Sequence, residues 1–227
     1  MLLDDLNDRQ KEAVLATEGP LLILAGAGSG KTRVIVHRVA HLIGSGKARP
    51  EEIFAVTFTN KAADEMKTRV ADLLATPRCG AWISTFHSLG LRILRSEAHR
   101  LGYRRGFVIY DEADQLSLVR DLQKELGIDD KVFPARRLLS AVSNAKNLAL
   151  GPDAVAAADP APAGQAVGRL YSLYKERLLS ANAMDFDDLI LRPLELFEKE
   201  AGVAQRWSGT CRYLLVDEYQ DTNHSQY

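Results

Sequence analysis

Apolar positions fall along this chain in two regimes. In the first, short unbroken apolar runs alternate with stretches of helical period. Leu21, Leu22, Ile23, Leu24 and Ala25 run into glycines and read as a buried strand feeding a turn. Residues 32–43 then carry a helical pattern that stops at Gly44 and Gly46. Residues 53–58 read as a second buried strand. Thr59 or Asn60 caps the next helix, whose inner side is Ala62, Met66, Val70 and Leu73. Residues 81–84 give a third strand, followed by a helix that turns Phe86, Leu89, Ile93, Leu94 and Leu101 inward. Residues 107–110 give a fourth strand. Strands alternating with helices predict a parallel α/β sheet.

The second regime runs from Asp111 to about Ala183 and holds helical periods only. Leu116, Val119, Leu122 and Leu126 fit one helix, closed by Gly127. Leu138, Leu139, Val142 and Ala145 fit another, and Val167, Leu170, Tyr174 and Leu178 a third. Residues 151–164, rich in Ala and Pro, read as a loop. A helix starting near Asp185 carries Phe186, Leu189 and Ile190, and Pro193 is expected to kink or restart it. Residues 212–216 form one more apolar strand, ending at Asp217. The pattern predicts a sheet interrupted by a helical insertion, without internal repeats.

Composition narrows the class without choosing a function. The 227 residues suit one large or two small domains, with 46% apolar and 26% charged residues, as in soluble globular proteins. The net charge of −1 neither demands nor excludes a nucleic-acid partner, because a local basic groove vanishes in the sum. Cys79 and Cys211 lack metal-type spacing and read as reduced thiols of a cytoplasmic protein. No apolar run reaches membrane-spanning length, and Met1 to Asp5 lacks the basic start of a signal peptide, so no membrane partner is expected.

The chemistry begins at Ala25, Gly26, Ala27, Gly28, Ser29, Gly30, Lys31 and Thr32. This is a P-loop placed between an apolar strand and a helix, with Ala25 where the strict pattern has Gly. Glycines let backbone N–H groups wrap phosphates. Lys31 suits the β and γ phosphates, and the Thr32 hydroxyl suits Mg²⁺. Asp217 and Glu218 close the last strand. Alone, such a pair is ordinary surface chemistry. Beside a P-loop it reads as a Mg²⁺-holding Asp217 and a Glu218 that activates water. The cofactors are therefore ATP and Mg²⁺, and the adjacent Glu tilts the reading from kinase to hydrolase.

The ordered set of motifs resembles the superfamily 1A, UvrD-like DNA helicases. Residues 6–10 look like the Q-motif, in which Gln10 would read the adenine edge. Residues 25–33 look like motif I, with Arg33 on the adenine face. Residues 56–63 are similar to motif Ia, 84–87 to motif Ib, and 216–223 to motif II, which adds Gln220 to the catalytic set of Lys31, Asp217 and Glu218. Residues 184–189 look like the return from an inserted domain. The resemblance implies a RecA-like domain 1A over 1–111 and 184–227, and a helical domain 1B over 112–183. It also implies 3′-to-5′ translocation on single-stranded or partially duplex DNA, with domains 2A and 2B supplied by further chain.

The same resemblance makes Phe58, Thr59, Asn60, Thr85, Phe86 and His87 the DNA-contacting candidates. Phe58 and Phe86 equally suit a core, and a lone His is more often structural. Arg92, Arg95 and His99, with Arg100, Arg104 and Arg105 nearby, suit a phosphate track or a solvated face, the latter being favoured. Asp185, Asp187 and Asp188 suit helix capping better than a metal. The rival functions are a P-loop ATPase driving protein assembly without DNA and a small-molecule kinase. DNA-stimulated hydrolysis separates the helicase from both.

Overall fold

The computed structural model describes residues 3–26 and 28–226. Ala27, within the glycine loop, and Met1 and Leu2, at the start of the segment read for a signal peptide, lie outside the described residues. The elements follow in the order α1 (Asp8–Leu15), α2 (Lys31–Gly44), β1 (Ile53–Thr57), α3 (Asn60–Leu73), β2 (Trp82–Thr85), α4 (Phe86–Glu97), β3 (Val108–Ile109), α5 (Glu112–Leu126), α6 (Ala135–Asn147), α7 (Pro152–Ala158), α8 (Pro162–Ser180), β4 (Ala183–Met184), α9 (Asp188–Lys199), α10 (Ala201–Thr210) and β5 (Tyr213–Val216). It is an α/β protein with a small parallel sheet. Packing divides it into one unit of residues 1–89 and 204–221 and a second of residues 90–203 and 222–227.

The first unit is built on the parallel sheet β2-β1-β5, with Ala55 opposite both Ile83 and Leu215. Every residue of β1 is buried, which is why its sequence is apolar without alternation. Val39 and Leu42 of α2 and Met66 and Val70 of α3 pack with Ile53, Ala55, Ile83 and Leu215. A smaller cluster, Leu6, Val14 and Val34, joins α1 to α2. Arg38, 8% exposed, donates from Nη1 to the carbonyls of Ala13 and Ala16, satisfying acceptors that the end of α1 leaves open.

Residues 21–25 depart from the expected buried strand. They are in no ladder among the described residues, and Leu22 and Leu24 are 66% and 86% exposed. The physical reason is the lack of a partner. Among the described residues β5 pairs with β1 on one side only, and its Leu214 is 61% exposed. Between the two segments lies a cleft of about 970 Å³, lined by residues 17–24 and 212–220.

The second unit is mostly helical. Val119, Leu122, Leu138, Val142, Leu170, Tyr174 and Leu178 form its larger core, from α5, α6 and α8. Gly127 ends α5 at φ 63°, as the sequence pattern required. The fourth expected strand is corrected here. Residues 108–109 do not join the three-stranded sheet but pair in parallel with β4 in a two-stranded one. Residues 151–164 are likewise not all loop, since Pro152 opens α7 and its alanines favour helix.

Pro193 does not restart α9, which runs from Asp188 to Lys199 with the proline inside. Pro193 has no N–H for the Leu189 carbonyl one turn back. Gly90 of α4 occupies the space beside that carbonyl. A Cβ on Gly90 would stand 1.8 Å from the Leu189 oxygen. This approach and the cluster of Leu94, Ala98, Tyr103, Phe107, Met184 and Leu189 lie within the second unit.

The same unit buries an ionic cluster. Lys146, 1% exposed at its side chain, lies 2.7 Å from Asp185 and 2.9 Å from Asp188. Arg192 reaches Asp188 at 3.1 Å and Glu195 at 2.6 Å, and Tyr174 donates its hydroxyl to Asp185. Asp185 and Asp188 also cap each other's backbone N–H, so the expected capping is present within a network the sequence did not reveal. Burial alone would drive Lys146 down, but the carboxylates of Asp188 and Asp185 outweigh it and raise its pKa.

Candidate functional site: the glycine loop and the acidic strand end

The glycine loop leads into α2 through Gly30, whose φ of 86° places it in the left-handed region. A side chain there would be strained, and its Cβ would meet Gln10 Nε2 at 2.9 Å. Gln10 therefore lies against the loop. Its Nε2 donates to the Ser29 carbonyl at 3.0 Å, while its Oε1 accepts the Asn7 N–H in a reciprocal cap of α1. Ser29 turns back on the loop, donating from Oγ to Gly26 O at 2.7 Å. Lys31 donates from Nζ to Ala25 O at 3.3 Å. Arg33 projects from α2 as an exposed side chain. The first turn of α2 bears no acidic residue of its own.

β5 delivers the acids. Asp217 follows the strand and donates its N–H to Val56 O at 2.9 Å, continuing the ladder. Thr32 Oγ1 donates to Asp217 Oδ2 at 3.4 Å, joining the helix start to the strand end. The other oxygen, Asp217 Oδ1, is buried without a hydrogen bond among the described residues. Burial, and then Glu218, raise the Asp217 pKa against the opposing Thr32 bond. Glu218 has φ 51°, a left-handed conformation that costs energy in a residue with a Cβ. Gln220 donates from Nε2 to Glu218 Oε2 at 2.6 Å and so aims that carboxylate.

The structure thus brings together Gln10, the described part of residues 25–32, Asp217, Glu218 and Gln220. Sequence reasoning missed the Gln10–Ser29 bond, the Gln220–Glu218 bond and the strained Glu218 backbone. None leaves a periodic trace.

The second candidate set lies at the ends of β1 and β2. Phe58 and Phe86 are neighbours, with ring centroids 5.6 Å apart and planes tilted by 59°. Phe58 is 36% exposed and Phe86 half-buried. Thr59 accepts the Ala62 N–H and caps α3, with exposed Asn60 beside it. Thr85 is buried and bonded to Ser88, which makes it the cap of α4. Burial lowers the pKa of the half-buried His87. The basic residues of α4 and of the turn after it are partly internal. Arg95 donates to Phe107 O at 3.2 Å and lies over that ring, and Arg100 pairs with Glu97 and Glu200. Both cysteines are free thiols. Among the described residues no helix is long and apolar enough to cross a membrane.

Fold and site together define an α/β protein in which a glycine loop opens a helix beside an acid-bearing strand. The chain belongs to the UvrD/REP helicase N-terminal domain family, which it matches over residues 6–227. It is 46% identical over 226 residues to an ATP-dependent DNA helicase PcrA of Bacillus subtilis (strain 168) and equally to one of Staphylococcus aureus (strain Mu50). Identity to that of Staphylococcus epidermidis is 45%. Each comparison covers 100% of this chain and 31% of the relative, so the chain spans about a third of the length of these relatives.

Proposed function

We propose that this chain is the ATP-binding portion of an ATP-dependent 3′-to-5′ DNA helicase and single-strand translocase. The first unit would be the RecA-like domain 1A, and the helices centred on residues 112–183 domain 1B. The observation that carries the reading is the meeting of Thr32 and Asp217 at the start of α2, with one Asp217 oxygen buried and unbonded. A hydroxyl and a carboxylate beside a phosphate cradle fit Mg²⁺, which typically takes one or two carboxylates and completes its shell with phosphate and water. Bound there, the ion would neutralise charge on the β and γ phosphates.

The chain's own residues have distinct tasks in this reading. Backbone N–H groups of the loop and the start of α2 hold phosphate oxygens. Lys31 exchanges the Ala25 carbonyl for the β and γ phosphates. Glu218, aimed by Gln220, accepts the proton of the attacking water. Gln10 and Arg33 face the adenine. Phe58, Phe86 and His87 line a single-strand path, with Thr59, Asn60 and Thr85 at its edge. A full-length protein of the relatives' size would add domains 2A and 2B. An arginine facing the γ-phosphate from there would supply about 10³–10⁵ in rate.

Steady-state ATP hydrolysis by the full-length protein and by residues 1–227, each with and without single-stranded DNA, tests this. DNA-stimulated turnover in the former and very slow turnover in the latter are expected. Robust DNA-stimulated turnover by residues 1–227 alone would overturn the two-domain reading. Hydrolysis indifferent to DNA in both would favour the assembly ATPase.

A further inference from the structure

Helix α1 is short, and one of its side chains touches the glycine loop. Eight residues are too few for a helix to be stable alone, so the pose of α1 depends on what packs against it. Gln10 moves with α1 as one body. Its Oε1 accepts the Asn7 N–H within the helix cap, and its Nε2 donates to the Ser29 carbonyl at 3.0 Å. The fit is close, since a Cβ on Gly30 would stand 2.9 Å from Nε2. A small swing of α1 would therefore carry Gln10 off the loop or into it.

Two contacts with α2 set that pose, both within the first unit. One is apolar, where Leu6 and Val14 pack with Val34. The other lies one turn further along the same face of α2, at Arg38. Its Nη1 donates to the Ala13 carbonyl at 2.7 Å and also to the Ala16 carbonyl, at the end of α1 away from Gln10. The last carbonyls of a helix lack intrahelical partners and form the negative end of its dipole. The last turn of α1 has no basic residue of its own, so Arg38 supplies the cation from another helix. Arg38 is 8% exposed, and a planar guanidinium held in a buried site fixes direction as well as distance. α2 also begins at Lys31, directly after the loop. The clamp on α1 and the end of the loop thus belong to one rigid helix.

We infer that Arg38 is a positioning residue for nucleotide recognition: by clamping the end of α1 it holds Gln10 at the glycine loop, and so sets the preference for an adenine base. This rests on the reading of Gln10 as a residue that faces the adenine. An amide suits that edge because it can accept from the exocyclic amine and donate to the neighbouring ring nitrogen. Arg38 touches no nucleotide in that reading, so its loss acts on choice of base and not on the chemical step.

The test is steady-state hydrolysis of ATP and of ITP by the full-length protein with saturating single-stranded DNA. ITP carries an oxygen where ATP carries the exocyclic amine. The unaltered protein is expected to show a higher KM for ITP than for ATP. Arg38→Met keeps an apolar stem in the buried site and removes the donors. It should lower the ratio of the two KM values about tenfold, the order of one lost hydrogen bond, and leave kcat for ATP within about twofold. Arg38→Lys, which keeps a cationic donor, retains most of the preference. Gln10→Ala loses the preference, and adding Arg38→Met to it changes the ratio no further. A merely structural role would reduce the folded fraction, which lowers kcat for both nucleotides and leaves the KM ratio unmoved. Should Arg38→Met fail to fold, Arg38→Gln, a shorter and uncharged donor, reads the same clamp through a partial loss of preference. An unchanged KM ratio in whichever of these two variants folds, equal losses in Arg38→Lys and Arg38→Met, or a further loss in the double variant would each overturn the inference. Gln10→Ala separates the two levels. If it leaves the preference for ATP unchanged, the adenine reading of Gln10 fails and this inference with it. If it abolishes the preference while Arg38→Met keeps it, only the clamp fails.

Discussion

Thr32 and Asp217 are 185 positions apart in the chain and 3.4 Å apart in space, hydroxyl to carboxylate. Asp217→Asn keeps the acceptor toward Thr32 but removes the charge a cation needs. ATP affinity with Mg²⁺ present is expected to fall at least about tenfold, the scale of one charge-assisted bond. The difference between Mg²⁺ and EDTA conditions should shrink accordingly. Nucleotide titrations of the full-length protein under both conditions measure this.

Lys31 and Glu218 should separate binding from turnover. Lys31 donates to a carbonyl at 3.3 Å, and Lys31→Ala is expected to leave the fold intact. ATP affinity or hydrolysis collapses in that variant. Glu218→Gln keeps ATP bound and slows hydrolysis about 10²–10⁴-fold, the usual worth of a positioned base. Circular dichroism beside ATPase assays decides. Identical behaviour of the two variants would remove the division of labour.

Phe58 and Phe86 form one aromatic pair and should be tested singly. If the exposed Phe58 is a stacking platform, Phe58→Ala weakens single-strand DNA binding by about 1–3 kcal/mol with little change in melting temperature. The same loss is expected for Phe86→Ala, accompanied by some loss of stability because that ring is half-buried. A binding titration beside a melting curve distinguishes platform from core. A core residue would lose several kcal/mol of stability, about 3–5 for a Phe, with DNA binding falling only in step.

Gly90→Ala tests the close approach of α4 to α9. The new methyl would stand 1.8 Å from the Leu189 carbonyl oxygen, which is backbone and cannot rotate away. A destabilisation of about 1–3 kcal/mol or more is expected, as for forced overpacking, despite alanine's better helix propensity. Urea denaturation gives the number. A neutral or stabilised variant would show that the helices stand further apart.

The buried cluster makes a pH-dependent prediction. Lys146→Met would strand Asp185 and Asp188 without their cation and cost about 3–5 kcal/mol. Glu195 lies beside Lys199 and Arg192. Burial alone would raise its pKa, but these partners bring it down to about 2 from an ordinary 4.5. A depressed carboxylate stabilises the fold above 4.5 and loses that contribution as pH falls toward 2. Denaturation midpoints between those limits should therefore drop less steeply in Glu195→Gln than in the unaltered protein.

The candidate site was legible as residue types at fixed spacing, and the structure brings Thr32 and Asp217 of that set together. Lys31, Thr32, Asp217 and Glu218 could be named, and the three ladder strands and most helices followed from period and capping. What escaped depends on partners distant in sequence. Residues 21–25 have a strand's composition, yet a ladder needs a neighbour, and composition does not announce its absence. Asp185 and Asp188 looked like caps and are that, but their main partner, Lys146, sits 39 positions away from Asp185 inside an ordinary helical period. Pro193 marked a break in the pattern, yet α9 runs through it.

The sheet also imposes an order on events during synthesis. Ile53 lies opposite Tyr213, so the three-stranded sheet cannot be completed until the ribosome has made β5. Everything from residue 90 to 203, the bulk of the second unit, emerges first. That segment has its own apolar cores and its own ionic lock, and it can fold while the glycine loop still waits for its acidic partner. Folding it converts a long flexible loop between β2 and β5 into an ordered excursion, and so removes much of the entropy that late closure of the sheet would otherwise oppose. The junction of Thr32 with Asp217 is then made only after residues 90–203 have emerged. A nascent chain stalled before residue 213 would carry the glycine loop without Asp217 beside it.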